Sequence, residues 1–156
     1  MTKHLRFFML TLLTIVCTVG GYAQEKVILD FSKTDWNFPS TANANKASYT
    51  CDGYTITFGA NSGHKEQGNG IIMGPKGATL SLPAFNFDVE KIIIKKNTGS
   101  VSGKVTFNIF IDNTAVSTQA KGCDKDKTFI IKDEFQKAGN IYTIKVTNAN
   151  NLQTSA

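Results

Sequence analysis

The segment Lys104–Ile111 (KVTFNIFI) sets Val105, Phe107, Ile109 and Ile111 against Thr106 and Asn108, the clearest alternation in the chain. A period of two puts the apolar set on one side of an extended chain, whereas a helix would wind it around its whole circumference. The segment therefore reads as a strand with one buried face. The pattern recurs in Tyr54–Phe58, where Tyr54, Ile56 and Phe58 oppose Thr55 and Thr57. It recurs again in Ile141–Thr147, where Tyr142, Ile144 and Val146 share a face. Asp52-Gly53 falls between two such runs inside Tyr49–Phe58, and Asp-Gly is a favoured pair for a two-residue hairpin turn.

Further short β runs follow at similar spacing: Lys26–Phe31, Gly70–Met73, Ala78–Leu82, Phe87–Lys96, Thr114–Thr118 and Thr128–Lys132. The apolar run Ile92–Ile94 suggests burial on both faces. Asp112-Asn113 and Gly74-Pro75-Lys76-Gly77 are turns by composition. Helical periodicity is confined to a short stretch, Asp133–Ala138. Short strands punctuated by turn residues, with almost no helix, predict an all-β fold, an antiparallel β-sandwich of jelly-roll type. No linker or internal repeat divides the chain, so residues 24–156 are expected to form a single domain.

Residues 1–23 are expected to stand apart from that domain. Lys3, His4 and Arg6 precede an apolar run from Leu5 to Val19, and Gly20, Gly21 and Ala23 follow. This is the layout of a secretory signal peptide, with cleavage expected after Ala23. The apolar run is short for a bilayer span, which needs about 20 residues. Cys17 follows Val16, too bulky for lipoprotein processing, and is expected to leave with the signal. The protein is thus expected to be secreted, periplasmic or at the cell surface, with no membrane span.

Losing Lys3 and Arg6 takes 17 basic residues to 15 against 12 acidic ones, a net charge of +3. Arg6 is the sole arginine of the chain, so the remaining domain lacks the planar fork that reads phosphates and guanine edges. Its lysines are scattered, and a nucleic-acid partner is not expected. Cys51 and Cys123 remain, either joined as a disulfide in an oxidising compartment or present as two buried thiols.

The glycine-rich stretch Gly63–Pro83 contains GNGIIMG and GPKGAT, both reminiscent of phosphate-binding loops. Such loops lead into a helix whose N-terminus meets the phosphate. Here Gly68 and Gly70 lead into the β run Ile71–Met73, and Lys76 precedes Gly77 and another β run. The glycines are assigned to turns. His64, alone after removal of the signal, is read as a solvated loop residue, which leaves no base for a Ser-His-Asp site. Cys51, Cys123 and His64 lack metal-knuckle spacing. Acidic residues fall mostly at turns, without the paired carboxylates of a glycosidase. Asp124-Lys125-Asp126 is a candidate for a structural calcium, though it lacks the ligand set of an EF-hand. No cofactor and no enzymatic activity are expected.

Trp36 is the sole tryptophan and lies in the polar segment KTDWNFPSTANANKASY. An exposed indole presents a face on which the C–H side of a sugar ring can stack. Asp35, Asn37, Asn43 and Asn45 supply groups for sugar hydroxyls nearby. The alternative is that Trp36 and Phe38 cap one end of the core. Ligand binding is assigned to Trp36, Asp35, Asn37 and Asn43.

The order VILDFSKTDWNFP, ASYTCDGYTITF, GATLSLPAFNFDVEKIIIK, GKVTFNIFIDNTAVST and NIYTIKVTN resembles small secreted β-sandwich domains of Bacteroidetes that are similar to carbohydrate-binding modules. The resemblance implies a jelly-roll fold and noncatalytic binding of a glycan. It carries no set of binding residues. Domains of this look end with an apolar strand, whereas this chain ends in NANNLQTSA. Either the last strand is missing, leaving an open sheet edge, or the reading frame is cut short. An open edge invites a partner strand, so the alternative function is a structural or adhesive surface protein binding another protein through a sandwich face or that edge.

Overall fold

The computed structural model describes residues 25–66, 70–95, 105–118, 120–121, 125–148 and 152–154. The expected signal segment, Cys123 and Asp124 lie outside the described residues. The described chain is all-β, and every strand pairing is antiparallel. The strands are β1 (Ala47–Cys51), β2 (Tyr54–Phe58), β3 (Gly63–Glu66), β4 (Ile71–Gly74), β5 (Thr79–Ser81) and β6 (Lys91–Ile94). They continue as β7 (Thr106–Ile111), β8 (Thr114–Ala115), β9 (Ala120–Lys121), β10 (Lys127–Ile130), β11 (Thr143–Val146) and β12 (Leu152–Thr154). A seven-stranded sheet runs β1-β2-β5-β11-β7-β8, with β9 also on β7. A three-stranded sheet runs β12-β4-β3, and β10 pairs with β6 in a two-stranded one.

The expected alternation decides which face is inside. Ile56, Phe58, Leu80, Phe107, Ile109, Ile144 and Val146 of the large sheet are all buried. They form one core with Ile71 and Met73 of β4, Ile94 of β6 and Phe129 of β10. The rings of Phe107 and Phe129 meet at 5.3 Å between centroids, joining the large sheet to the β6/β10 pair. The β1/β2 hairpin turns at Asp52-Gly53 as expected, with φ of 51° and 80° at its two central residues. Both take the left-handed conformation that such a turn demands. The turn at Gly74–Gly77 is closed by the Ala78 amide donating to the Pro75 carbonyl at 2.9 Å. A single 3-10 turn, Asp133–Phe135, occupies the expected helical stretch.

Five expectations are corrected. Lys104–Ile111 does not keep its polar side in solvent: Thr106 and Asn108 of β7 are buried as well, and the Asn108 Oδ1 accepts from the Ser117 hydroxyl at 2.7 Å. Lys26–Phe31 forms no strand: Leu29 and Phe31 dip into the core while Ile28 remains 65% exposed. Ile92–Ile94 is not buried on both faces: Ile94 points into the core, whereas Ile93, beside Thr128 of β10, is turned outward and exposed. His64 is not a solvated loop residue, since Gly63–Glu66 is a strand that pairs with β4 and carries the imidazole inward. The C-terminal segment does supply a strand, with Leu152, Gln153 and Thr154 opposite Met73, Ile72 and Ile71. Pairing of this kind rests on backbone ladder bonds and does not require an apolar alternation.

Candidate functional site

The expected indole platform does not exist. Thr34–Trp36 winds into a 3-10 turn that swings Trp36 inward, leaving it 2% exposed. Its Nε1–H donates to the Asp30 carbonyl at 2.8 Å, so the polar edge of the buried ring is satisfied. Phe38 stacks on it at 5.7 Å between centroids, and Phe31 meets it edge-on at 5.6 Å. This is the core-capping alternative for Trp36 and Phe38. Asp35 and Asn37 are exposed beside the turn, and the Asn37 side-chain amide donates to the Asp35 carbonyl at 3.0 Å. Asn43 is bridged to the His64 backbone, and its Oδ1 accepts the Asn45 amide at 3.0 Å. These polar groups serve the local backbone around a ring that offers no free face.

The structure draws attention instead to the solvent face of the large sheet. The alternation that buries Ile56 and Phe58 turns Thr55 and Thr57 outward, and Ser48, Thr50, Thr79, Ser81, Thr143 and Lys145 follow the same rule on neighbouring strands. Register then lines them up. Ser48 lies opposite Thr57, Thr57 opposite Ser81, and Ser81 opposite Thr143, so four adjacent strands contribute one row of hydroxyls. The row ends at Phe110, opposite Thr143. Its hydroxyls pair across strands, Ser48 with Thr57 at 2.8 Å and Ser81 with Thr143 at 3.0 Å. Thr50 and Thr55 form a second pair at 2.8 Å. Each hydroxyl has one donor and two acceptor sites, so pairing leaves hydrogen-bonding capacity facing solvent.

Part of this face borders a concavity of about 540 Å³. Thr55, Thr57 and Ser81 line it with polar atoms, while Leu82, Pro83 and Ile141 supply apolar contacts. Ile141 is 54% exposed. Apolar wall and hydroxyl floor together suit a ligand that presents both C–H and O–H groups. The strands of the sheet contain no Asp or Glu, and their only charged residues are Lys121 and Lys145. Lys145 places its Nζ 5.3 Å from the Phe110 ring centroid.

The remaining chemistry-bearing residues are engaged elsewhere. His64 is 1% exposed, with Nδ1 2.7 Å from the Ser62 carbonyl and Nε2 2.8 Å from the Tyr49 hydroxyl. Burial holds its pKa below the usual histidine value, partly offset by the Ser62 carbonyl. Cys51 is a free, buried thiol among the described residues, and Cys123, with which the expected disulfide would join it, lies outside them. Burial pushes the pKa of Cys51 up. Asp126 of the candidate calcium segment pairs with Lys95 at 2.7 Å. Among the described residues no cluster of three or more metal-ligating side chains occurs, and no helix is long and apolar enough to cross a membrane.

Sequence reasoning read the outward threonines only as the solvated side of strands. Nothing local distinguishes Thr57 from any other exposed threonine, and the row exists only through the register of four strands. No family model, curated protein or solved structure matches the chain.

Proposed function

We propose that this protein is a noncatalytic extracytoplasmic domain that binds a glycan on the hydroxyl-lined face of its large sheet. The observation that carries the reading is the row Ser48–Thr57–Ser81–Thr143 bordering a concavity with an apolar wall. Sugars pair hydroxyls with C–H faces, and uncharged hydroxyl side chains exchange hydrogen bonds with them at little desolvation cost compared with ionised groups. The strands under the row contain no carboxylate, which fits binding better than a hydrolase requiring two. The architecture is read as a jelly-roll sandwich, a reading supported by the core shared between the large sheet and the two smaller ones. Residues 1–23 supply the secretory signal on which the location rests.

A second reading has its own observation. β1 pairs with β2 on one side and stands at the edge of the large sheet among the described strands. A protein partner adding a strand there is the competing function.

The test is retention of the purified protein on a polysaccharide and glycan array, with the double variant Thr57→Val/Ser81→Ala alongside. Specific retention that the double variant loses, at unchanged thermal unfolding, supports the glycan site. A blank array with folded protein rejects it and favours a partner at β1.

A further inference from the structure

We infer that the glycan bound on this face carries an anionic substituent, a uronate carboxylate or a sulfate ester, and that Lys145 recognises it. The inference rests on the glycan reading above and narrows its ligand.

Lys145 lies on β11, between β5 and β7 in the strand order, two residues along from Thr143 of the hydroxyl row. Its register partners are Thr79 on one side and Asn108 on the other, both uncharged. No carboxylate of a described residue stands within ion-pair distance of its ammonium; Asp52 and Asp112 occupy the β1/β2 and β7/β8 hairpin turns. Asp52 is itself paired with Lys33. The lysine is half-buried, and its Nζ lies over the Phe110 ring at 5.3 Å, which fixes the ammonium beside the end of the hydroxyl row.

A cation in that position is a poor choice for a purely neutral ligand. Covering it would strip water from the charge with no anion in return. An oxyanion on the ligand reverses that penalty, because charge-assisted hydrogen bonds are shorter and stronger than neutral ones. The absence of any acidic residue from the strands of this sheet removes the competitor that would otherwise occupy Lys145 and repel the ligand. Hydroxyls then bind the sugar ring, and the ammonium selects for the charged substituent.

The experiment compares affinity-gel retention on polygalacturonate, a sulfated galactan and a neutral mannan. The unaltered protein, Lys145→Met, Lys145→Arg and Thr57→Val/Ser81→Ala are run in parallel at low and high salt. Retention on an acidic polymer is expected to weaken by about tenfold or more in Lys145→Met, the size of a lost hydrogen bond to a charged group. It should survive in Lys145→Arg and fall with salt. The polymer preferred identifies carboxylate or sulfate as the source of the charge. Thermal unfolding of each variant shows that the fold persists. If Lys145→Met does not fold, Lys145→Gln and the salt dependence of the unaltered protein carry the same test. Retention of the mannan alone, or acidic retention indifferent to Lys145, overturns this inference while the glycan reading stands. Retention of no polymer at all overturns both.

Discussion

The imidazole of His64 lies flat against the ring of Phe58, 3.9 Å between centroids and 3° from parallel. One residue belongs to β3 of the small sheet and the other to β2 of the large one, so this contact joins the layers. The Ser62 carbonyl accepts from Nδ1–H, which leaves Nε2 to accept from the Tyr49 hydroxyl and fixes the neutral tautomer.

Stability should therefore depend on pH through His64. Its folded pKa is depressed by burial, so the unfolded chain binds a proton more readily. The stabilisation is complete above the unfolded value of about 6.5 and is lost as pH falls from there toward the folded value. Denaturant unfolding between pH 8 and 5 should show stability falling in the acid half by at most ~1.4 kcal/mol per pH unit. His64→Phe should flatten that segment of the curve. An unchanged slope in the variant would assign the acid loss to other groups.

Trp36→Ala should cost about 3–5 kcal/mol, the range for truncating a buried aromatic. The indole is enclosed by Phe31 and Phe38 and hydrogen-bonded to the Asp30 carbonyl, so the variant loses packing and a partner together. Trp36→Phe should recover most of the packing and none of the hydrogen bond. Calorimetry on both checks this, and near-native melting of Trp36→Ala would mean the aromatic cap is dispensable.

Gly59 is held against β5, its amide donating to the Thr79 carbonyl at 3.1 Å. A Cβ at this position would collide with the Thr79 hydroxyl. The Thr79 amide donates to the Ser62 hydroxyl at 2.8 Å, which resists retreat of that strand. Gly59→Ala should destabilise by about 1–3 kcal/mol, as overpacking does. Adding Thr79→Ala removes the colliding atom, and the double variant should recover part of the loss with coupling above ~0.5 kcal/mol. Strict additivity in the cycle would place the cost elsewhere.

Strand identity was legible wherever alternation was clean. Tyr54–Phe58, Lys104–Ile111 and Ile141–Thr147 each enclose a strand whose apolar side is inside. The Asp52-Gly53 hairpin was legible for a similarly local reason, because few dipeptides tolerate two successive left-handed residues. Gly63–Glu66 was not, since GHKE has no apolar alternation and becomes a strand only by pairing with β4. Trp36 had two readings from its neighbours, and the inward swing of one 3-10 turn chose between them.

The sequence by itself determined that this chain is β and which side of its clearest strands joins the apolar core, because a period of two is a property of consecutive residues; that Thr106 and Asn108 on the other side of β7 are buried too was decided by the tertiary structure. Tertiary structure decided which residues share the surface. Ser48, Thr57, Ser81 and Thr143 are separated by up to 95 positions in the chain, 143 minus 48, yet stand side by side. Only cross-strand hydrogen bonding sets that neighbourhood, and a one-residue slip in any pairing would turn part of the row into the core.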